Sequence, residues 1–87
     1  MKAFVYILRD EKRKFYVGST SDLERRLRQH EGKHTQTTKN MFNPKLVLKQ
    51  EFPSLLVARK IEGRIKRLKR KDYIEKMVTD GYIKLTE

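Results

Sequence analysis

Residues 15–30, FYVGSTSDLERRLRQH, are the stretch that predicts how this chain folds. Residues 15–17 are strong strand formers, and Gly18 after them tolerates backbone angles that other residues avoid. Ser21 and Glu24 have the three-residue spacing of a capping box, in which side chains accept from backbone N–H groups at a helix start. The stretch therefore predicts a strand, a glycine turn and a capped helix.

The predicted helix covers residues 22–30 or 22–31. Leu23 and Leu27 are four residues apart and share one face, while Arg26 and His30 share a neighbouring face. Because functional groups are commonly carried where the chain turns between regular elements, this strand-turn-helix unit is the predicted place of a site.

The charge of the chain points to a polyanionic partner. The 87 residues predict one domain over residues 1–87, and 22 basic against 11 acidic residues give a net charge of +11. Nucleic acid is the commonest partner of such a domain, although the same charge can serve solubility alone. The chain has no cysteine, which excludes disulfides and thiolate metal sites.

The rest of the chain predicts two further strands and two further helices. Residues 4–8 are a continuous apolar run, typical of a strand covered on both faces, and the charged residues 9–14 predict a hairpin turn. Residues 46–52 predict the third strand, Ser54 caps a helix with an apolar stripe, and a short third helix ends at Gly81. The order β-β-α-β-α-α predicts an α+β domain with helices against a partly antiparallel, three-stranded sheet.

No apolar run approaches the length that spans a bilayer. Residues 1–8 have one charge and then an apolar run, but they lack a small-residue cleavage site, so they indicate a buried strand rather than a signal peptide. We therefore expect a cytoplasmic protein with no membrane partner.

Glu62 is the acidic residue singled out by its surroundings, because it is the sole carboxylate between Arg59 and Lys71. Basic neighbours keep such a carboxylate ionised, and its oxygens could hold one Mg²⁺ or Mn²⁺ together with waters and a phosphate. The alternative is an ordinary helix ion pair with Lys66, four residues on.

Arg26 and two tyrosines have comparable alternatives. Arg26 could clamp a phosphate and offset charge in a transition state, or it could belong to a solvated face or pair with Asp22. Tyr6 and Tyr16 lie on the two strands of the predicted hairpin. Their phenols could meet near the turn, where cations ease deprotonation, or pack as a cross-strand pair.

The two histidines, His30 and His34, are four residues apart. Gly32 between them predicts the end of the helix, which argues against a two-histidine zinc site. His34 falls in residues 33–43, a polar segment predicted as a loop, from which it could contact substrate or leaving group.

Basic residues concentrated in the run 59–71 and near the loop predict contacts to phosphates. No aromatic residue interrupts that run, so base stacking is not predicted there. The alternative is a solvated basic face. The candidates for nucleic-acid binding are Arg25, Lys33, Lys39, Arg59, Lys66, Arg67, Lys69 and Arg70.

Together these residues resemble the GIY-YIG nuclease family, and most closely its small stand-alone bacterial members. Residues 4–6, Phe-Val-Tyr, stand for the first motif, and residues 16–18, Tyr-Val-Gly, stand for the second. The match continues through residues 19–27 and His30, ends with Glu62, and covers roughly residues 2–79. Two departures are Phe4 in place of the first-motif glycine and the lack of any asparagine after Asn43.

The resemblance implies a three-stranded antiparallel sheet flanked by helices and metal-dependent hydrolysis of a DNA phosphodiester. By analogy, Tyr6 and Tyr16 would sit at the attacking water, with Tyr16 as the general base. Arg26 would stabilise the scissile phosphate, and Glu62 would hold the single Mg²⁺ or Mn²⁺. The remaining assignments by analogy are His30 or His34 as assisting groups and Gly18 at the turn beside the substrate.

Three hypotheses follow for the function. The first is a metal-dependent DNA endonuclease of DNA repair or recombination that needs no small-molecule cofactor. The second is a non-catalytic basic nucleic-acid-binding module on the same scaffold. The third is a protein-interaction module whose basic helix meets an acidic partner. The sequence leaves the oligomeric state open.

Overall fold

A computed structural model describes residues 2–31 and 41–85 of the chain. Within them, three strands and three helices follow one another in the predicted order β-β-α-β-α-α, which confirms the α+β class. The elements are β1 (Ala3–Arg9), β2 (Phe15–Thr20), α1 (Leu23–Glu31), β3 (Lys45–Phe52), α2 (Leu55–Leu68) and α3 (Lys71–Asp80).

The three strands form one antiparallel sheet in the order β2-β1-β3. The register places Tyr6 opposite Gly18 and Leu8 opposite Tyr16 on β2. Pairing of β1 with β3 is irregular between Ile7 and Leu8. The apolar first strand is thus central, as its sequence predicts, and β2 is an edge strand.

Alternate residues of β1 supply two separate cores, one on each face of the sheet. Val5 and Ile7 pack with α2, whose Ile61 and Ile65 are fully buried, and with the buried Met77 of α3. The other face packs Tyr6, Leu8 and Met41 against Leu23 and Leu27 of α1. A strand with apolar side chains on both faces can only be stable when both are covered, so the helices divide between the two sides.

Gly18 does not form the predicted turn. It lies inside β2, which continues to Thr20, and it is not among the residues with positive φ. The reason that a glycine stands here is packing. A Cβ at this position would lie 2.5 Å from the Tyr6 hydroxyl oxygen, so the absent side chain makes room for the phenol.

The predicted capping box at the start of α1 is also wrong. Asp22, not Ser21, caps the helix, because its Oδ1 accepts from the backbone N–H of Arg25 at 3.1 Å. The Thr20 hydroxyl accepts from the backbone N–H of Asp22 at 3.0 Å. Since β2 runs on to Thr20, the chain reaches helical geometry one residue later than the Ser21 cap requires.

The caps of the other helices agree with the sequence. The Ser54 side chain accepts from the backbone N–H of Val57 at 3.2 Å at the start of α2. Gly81 ends α3 in the left-handed conformation, with φ 81°, and its N–H donates to the carbonyl of Met77. Glycine is favoured at such a helix end because it has no Cβ to clash there.

The charged hairpin turn is organised by the buried carboxylate of Asp10. Its two oxygens accept from the backbone N–H groups of Lys14, at 2.7 Å, and Phe42, at 3.1 Å. Burial raises the pKa of Asp10, but these backbone donors outweigh it and hold the net pKa below the ordinary value. Asp10 thereby ties the hairpin to the segment that leads into β3.

Across residues 2–31 and 41–85, no helix combines the length and apolar character needed to cross a membrane.

Candidate active site at the edge strand

Three aromatic rings meet on the face of the sheet that packs against α1. The Tyr6 and Tyr16 ring centroids are 6.1 Å apart, and His30 lies 5.6 Å from Tyr6 and 5.0 Å from Tyr16. The two tyrosines are diagonal neighbours on β1 and β2, and His30 is in the last turn of α1. The two tyrosines thus lie on one side of the hairpin, packed as a cross-strand pair with His30 as a third member.

A buried hydrogen bond joins the Tyr6 hydroxyl to Nε2 of His30 at 2.8 Å. Burial, and then the neighbouring Tyr16, raises the pKa of Tyr6 well above its ordinary value. Burial, and then the charge of Arg26, lowers the pKa of His30. We therefore assign the hydroxyl as donor and Nε2 of a neutral imidazole as acceptor, which leaves the ring proton on Nδ1.

The protonation of Tyr6 runs against the expectation that nearby cations ease loss of its proton. The Arg26 charge does favour the phenolate, but desolvation dominates because Tyr6 is only 1% exposed. Tyr16 is half-buried, so its side chain is the more accessible of the two.

Arg26 lies on the same helix as His30, four residues earlier, and is half-buried. It lines a cavity of about 300 Å³ between the end of β2 and the start of α1. Arg25 lines the same cavity and is exposed. Arg26 therefore borders both the tyrosine-histidine cluster and an open polar recess where an anion could bind.

Glu62 approaches from the opposite face of the sheet. One of its oxygens, Oε1, accepts a hydrogen bond from the Ser19 hydroxyl, and Oε2 lies 2.6 Å from Nζ of Lys66. The Lys66 ammonium also lies 5.8 Å from the Tyr16 ring centroid. Because β2 is an edge strand, groups on its two faces come together around its open side.

Ser19 is a site residue that sequence reasoning missed. Its side chain points to the face opposite that of its neighbour Gly18, as strand alternation requires. The signal was present in the sequence, since a polar residue at an inward-facing strand position needs a partner. The identity of that partner, 43 residues away, could come only from the packing of α2 on the sheet.

The oxygen donors at this place fit a small divalent cation. Mg²⁺ takes oxygen ligands and is commonly held by one or two carboxylates, with waters and substrate phosphates completing its shell. Glu62 is 19% exposed and has a hydroxyl beside it. Among residues 2–31 and 41–85, no three His, Asp or Glu side chains are grouped closely enough to form a complete metal cage.

The remaining candidates fall into three groups. Lys66, Lys69 and Arg70 line one groove beside Tyr16. Arg59 is exposed on the Glu62 side of α2, whereas Arg67 lies about 140° around the helix from Glu62. The candidates that lie outside the described residues are Lys33, His34 and Lys39.

Residues 2–77 match the GIY-YIG catalytic domain. The chain belongs to the GIY-YIG family. This confirms the resemblance carried by residues 4–6 and 16–18, which lie on the two strands that hold the paired tyrosines. The GIY-YIG domain is a nuclease domain, so membership implies a phosphodiester hydrolase with DNA as its substrate.

Several small proteins are similar to this chain in sequence. A UPF0213 protein of Streptococcus pneumoniae (strain TIGR4) is 37% identical over 70 residues, which cover 79% of this chain and 71% of the relative. The UPF0213 protein YhbQ of Escherichia coli K12 is 32% identical over 90% of this chain and 78% of its own length.

A solved structure has the same fold. The solution NMR structure of the UPF0213 protein BH0048 from Bacillus halodurans aligns with a TM-score of 0.59 and 32% identity. The alignment covers 93% of this chain and 87% of that one.

Proposed function

We propose that this protein is a divalent-metal-dependent DNA endonuclease whose active site is built around the open side of β2. The observation that supports it best is that the charges of Arg26 and Glu62 both act on Tyr6, whose ring centroid lies 6.1 Å from that of Tyr16. Arg26 comes from α1 and Glu62 from α2, so two helices bring a guanidinium and a carboxylate towards the paired phenols.

Tyr16 is the general base of the proposed reaction. It is half-buried, whereas Tyr6 is 1% exposed and its hydroxyl donates a hydrogen bond to His30. A base must reach the attacking water, and of the two phenols Tyr16 has the accessible side chain. Arg26 binds the scissile phosphate and offsets the charge that develops as the water attacks.

His30 is a positioning residue in this proposal. Its ring contacts both tyrosines and its Nε2 accepts from Tyr6. It is 2% exposed, so it acts on the orientation of the phenols rather than on the substrate. His34 lies outside the described residues and stays a candidate for substrate contact.

Glu62 and the Ser19 hydroxyl would hold one Mg²⁺ or Mn²⁺, with Lys66 giving up its ion pair when the cation binds. The ion would supply positive charge at the leaving oxygen. Without it, Lys66 supplies the positive charge next to Glu62, so the carboxylate has a partner in either state.

The proposal is tested by cleavage of labelled DNA as duplex, single strand, flap and junction, with Mg²⁺, Mn²⁺ or EDTA. Glu62→Gln and Arg26→Ala are compared with matched controls, Glu75→Gln on α3 and Arg28→Ala on α1, since neither control residue belongs to the site. We expect metal-dependent products that each site variant reduces about a hundredfold or more, while the controls cleave normally.

Cleavage of flaps or junctions in preference to plain duplex would support a role in DNA repair or recombination. If the folded wild-type protein binds DNA but cleaves none of these substrates, the endonuclease proposal fails and the non-catalytic binding module takes its place. Loss of activity in the controls to the same extent as in the site variants would also overturn it.

A further inference from the structure

A basic groove runs from the hairpin turn to the junction of α2 and α3, beside the proposed active site. It has a volume of about 590 Å³, which lies in the range that accommodates a ligand of nucleotide size. Of the described side chains that line it, six are cationic and none is acidic. These are Arg13, Lys14, Lys66, Lys69, Arg70 and Lys71.

The groove is only partly neutralised by acidic residues of the described chain. Lys66 pairs with Glu62, and Arg70 pairs with Asp72 at 2.9 Å. The other four cations, at positions 13, 14, 69 and 71, form no ion pair with any acidic residue in 2–31 or 41–85. Like charges gathered in one groove repel, and a ligand that carries several phosphates would relieve that repulsion.

Two of these cations stand where the backbone disfavours a side chain. Arg13 and Lys69 have positive φ, 64° and 50°, in the left-handed region that crowds a Cβ against the backbone. The third non-glycine residue of this kind, Asn43, is a type that tolerates this conformation. Glycine would be the less strained residue at 13 and 69, so the two charges stand in this groove at some cost in backbone strain.

Two aromatic side chains also line the groove. The run 59–71 contains no aromatic residue, and its sequence predicts no base stacking, but the fold brings Phe15 and Tyr16 of the edge strand alongside it. Lys71 Nζ lies 6.0 Å from the Phe15 ring centroid. Cations beside accessible aromatic rings are the combination that binds unpaired strands, since their bases expose faces that a duplex keeps stacked.

We propose that this groove binds an unpaired nucleic-acid strand next to the phosphodiester that is cleaved. Tyr16 and Lys66 belong both to the groove and to the surroundings of Glu62, so a strand in the groove leads directly to the active site. The proposal deepens the proposed function, on which it rests, by naming single-stranded or frayed DNA as the preferred flank.

The test measures equilibrium binding of a labelled single strand and of a duplex of equal length, in EDTA so that no cleavage occurs. Arg13→Gly and Lys69→Gly remove charge and relieve the backbone, so we expect unchanged or higher melting temperatures. Each should weaken single-strand binding about threefold to tenfold and reduce the slope of log K against log salt by about 0.7.

Two controls separate this result from general effects. Lys76→Ala removes one charge on the side of α3 away from the groove and should leave affinity nearly unchanged. Asn43→Gly places glycine at the third positive-φ position without a change of charge, with the loss of one exposed hydrogen bond to Glu11. If the groove variants bind the single strand as the Lys76 control does, or if wild type prefers the duplex, the groove proposal is wrong.

The binding experiment and the cleavage assay test the two proposals separately, so either proposal can be refuted without the other. Normal cleavage and affinity in the groove variants would refute the groove and leave the endonuclease intact. Groove-dependent binding with no cleavage of any substrate would refute the endonuclease and leave a single-strand-binding module.

Discussion

At the residue scale, the tightest constraint lies between Gly18 and Tyr6. An added Cβ at Gly18 would lie 2.5 Å from Oη and 2.6 Å from Cζ of Tyr6. The phenol cannot withdraw easily, because it is buried and bonded to His30. Tyr6 of the first motif can therefore take this position only because the second motif has glycine at 18. The two motifs depend on each other through this contact.

Gly18→Ala should therefore destabilise the protein by about 1–3 kcal/mol, as overpacking of a rigid ring does, and should disturb the Tyr6–His30 bond. Gly63→Ala is the matched control. Its Cβ would meet only Nη2 of Arg67, at 3.7 Å, and removal of a mid-helix glycine should stabilise α2 by about 1 kcal/mol. Urea unfolding of both variants checks the pair, and equal destabilisation would contradict it.

His30 makes stability depend on pH. Its pKa is lowered in the folded protein, so below its ordinary value of about 6.5 the unfolded chain takes up a proton that the folded chain resists. The contribution is therefore complete above about pH 6.5 and is lost as the pH falls towards the folded pKa. The urea concentration at the unfolding midpoint should therefore decrease as the pH is lowered from about 7.5 to about 5.

His30→Gln should make the urea midpoint less dependent on pH. His34→Gln, which removes the other histidine, should leave that pH dependence unchanged. Asp10 has a lowered pKa as well. Its contribution to stability is lost only as the pH falls to the ordinary range of carboxyl pKa values, which lies below the pH range of this experiment. A decline that survives intact in His30→Gln would show that another group is responsible.

At the element scale, α1 and α2 bring functional side chains to the edge strand, so the starts of these helices determine where those groups stand. The Ser54 cap begins α2, which carries Glu62, and the Asp22 cap begins α1, which carries Arg26 and His30. The sequence predicted the cap of α1 at Ser21. The extra length of β2 moved it to Asp22.

Ser54→Ala should lower the free energy of unfolding by about 1 kcal/mol, because the N–H of Val57 loses its acceptor. Ser21→Ala should change it by less than about 0.5 kcal/mol, since Ser21 is exposed and Asp22 caps α1. Chemical denaturation of the two variants under the same conditions tests the assignment. A larger loss in Ser21→Ala would restore the predicted capping box.

At the scale of the whole molecule, positive charge is in large excess. The net charge is +11, and residues 2–31 and 41–85 form four ion pairs with one another, all with a partly exposed partner. Repulsion among the remaining cations lowers the stability of the compact state, and salt screens it. The same excess attracts a polyanion, so the cost of folding and the affinity for DNA have one origin.

Raising NaCl from about 50 mM to about 300 mM should therefore raise the melting temperature by a few degrees. Sulfate at equal ionic strength provides the comparison. An equal rise indicates screening of the whole charge, whereas a larger rise with sulfate combines any anion binding with the general stabilisation that sulfate gives folded proteins. A melting temperature that falls with NaCl would contradict the argument.

The sequence by itself determined the element order, the central position of the apolar first strand and the helix caps at Ser54 and Gly81. These depend on local patterns of polarity and on backbone preferences that each short segment carries alone. The motif residues Tyr6, Tyr16, Arg26 and Glu62 were also recognisable without coordinates, because their spacing resembles one family.

Only the tertiary structure decided what those residues do to one another. Burial, not nearby cations, governs the proton of Tyr6, and Gly18 serves packing rather than a turn. The partnership of Ser19 with Glu62 and the groove beside Phe15 depend on how α2 lies against β2. Desolvation and contact across long sequence separations are properties of the packed chain, and no local pattern encodes them.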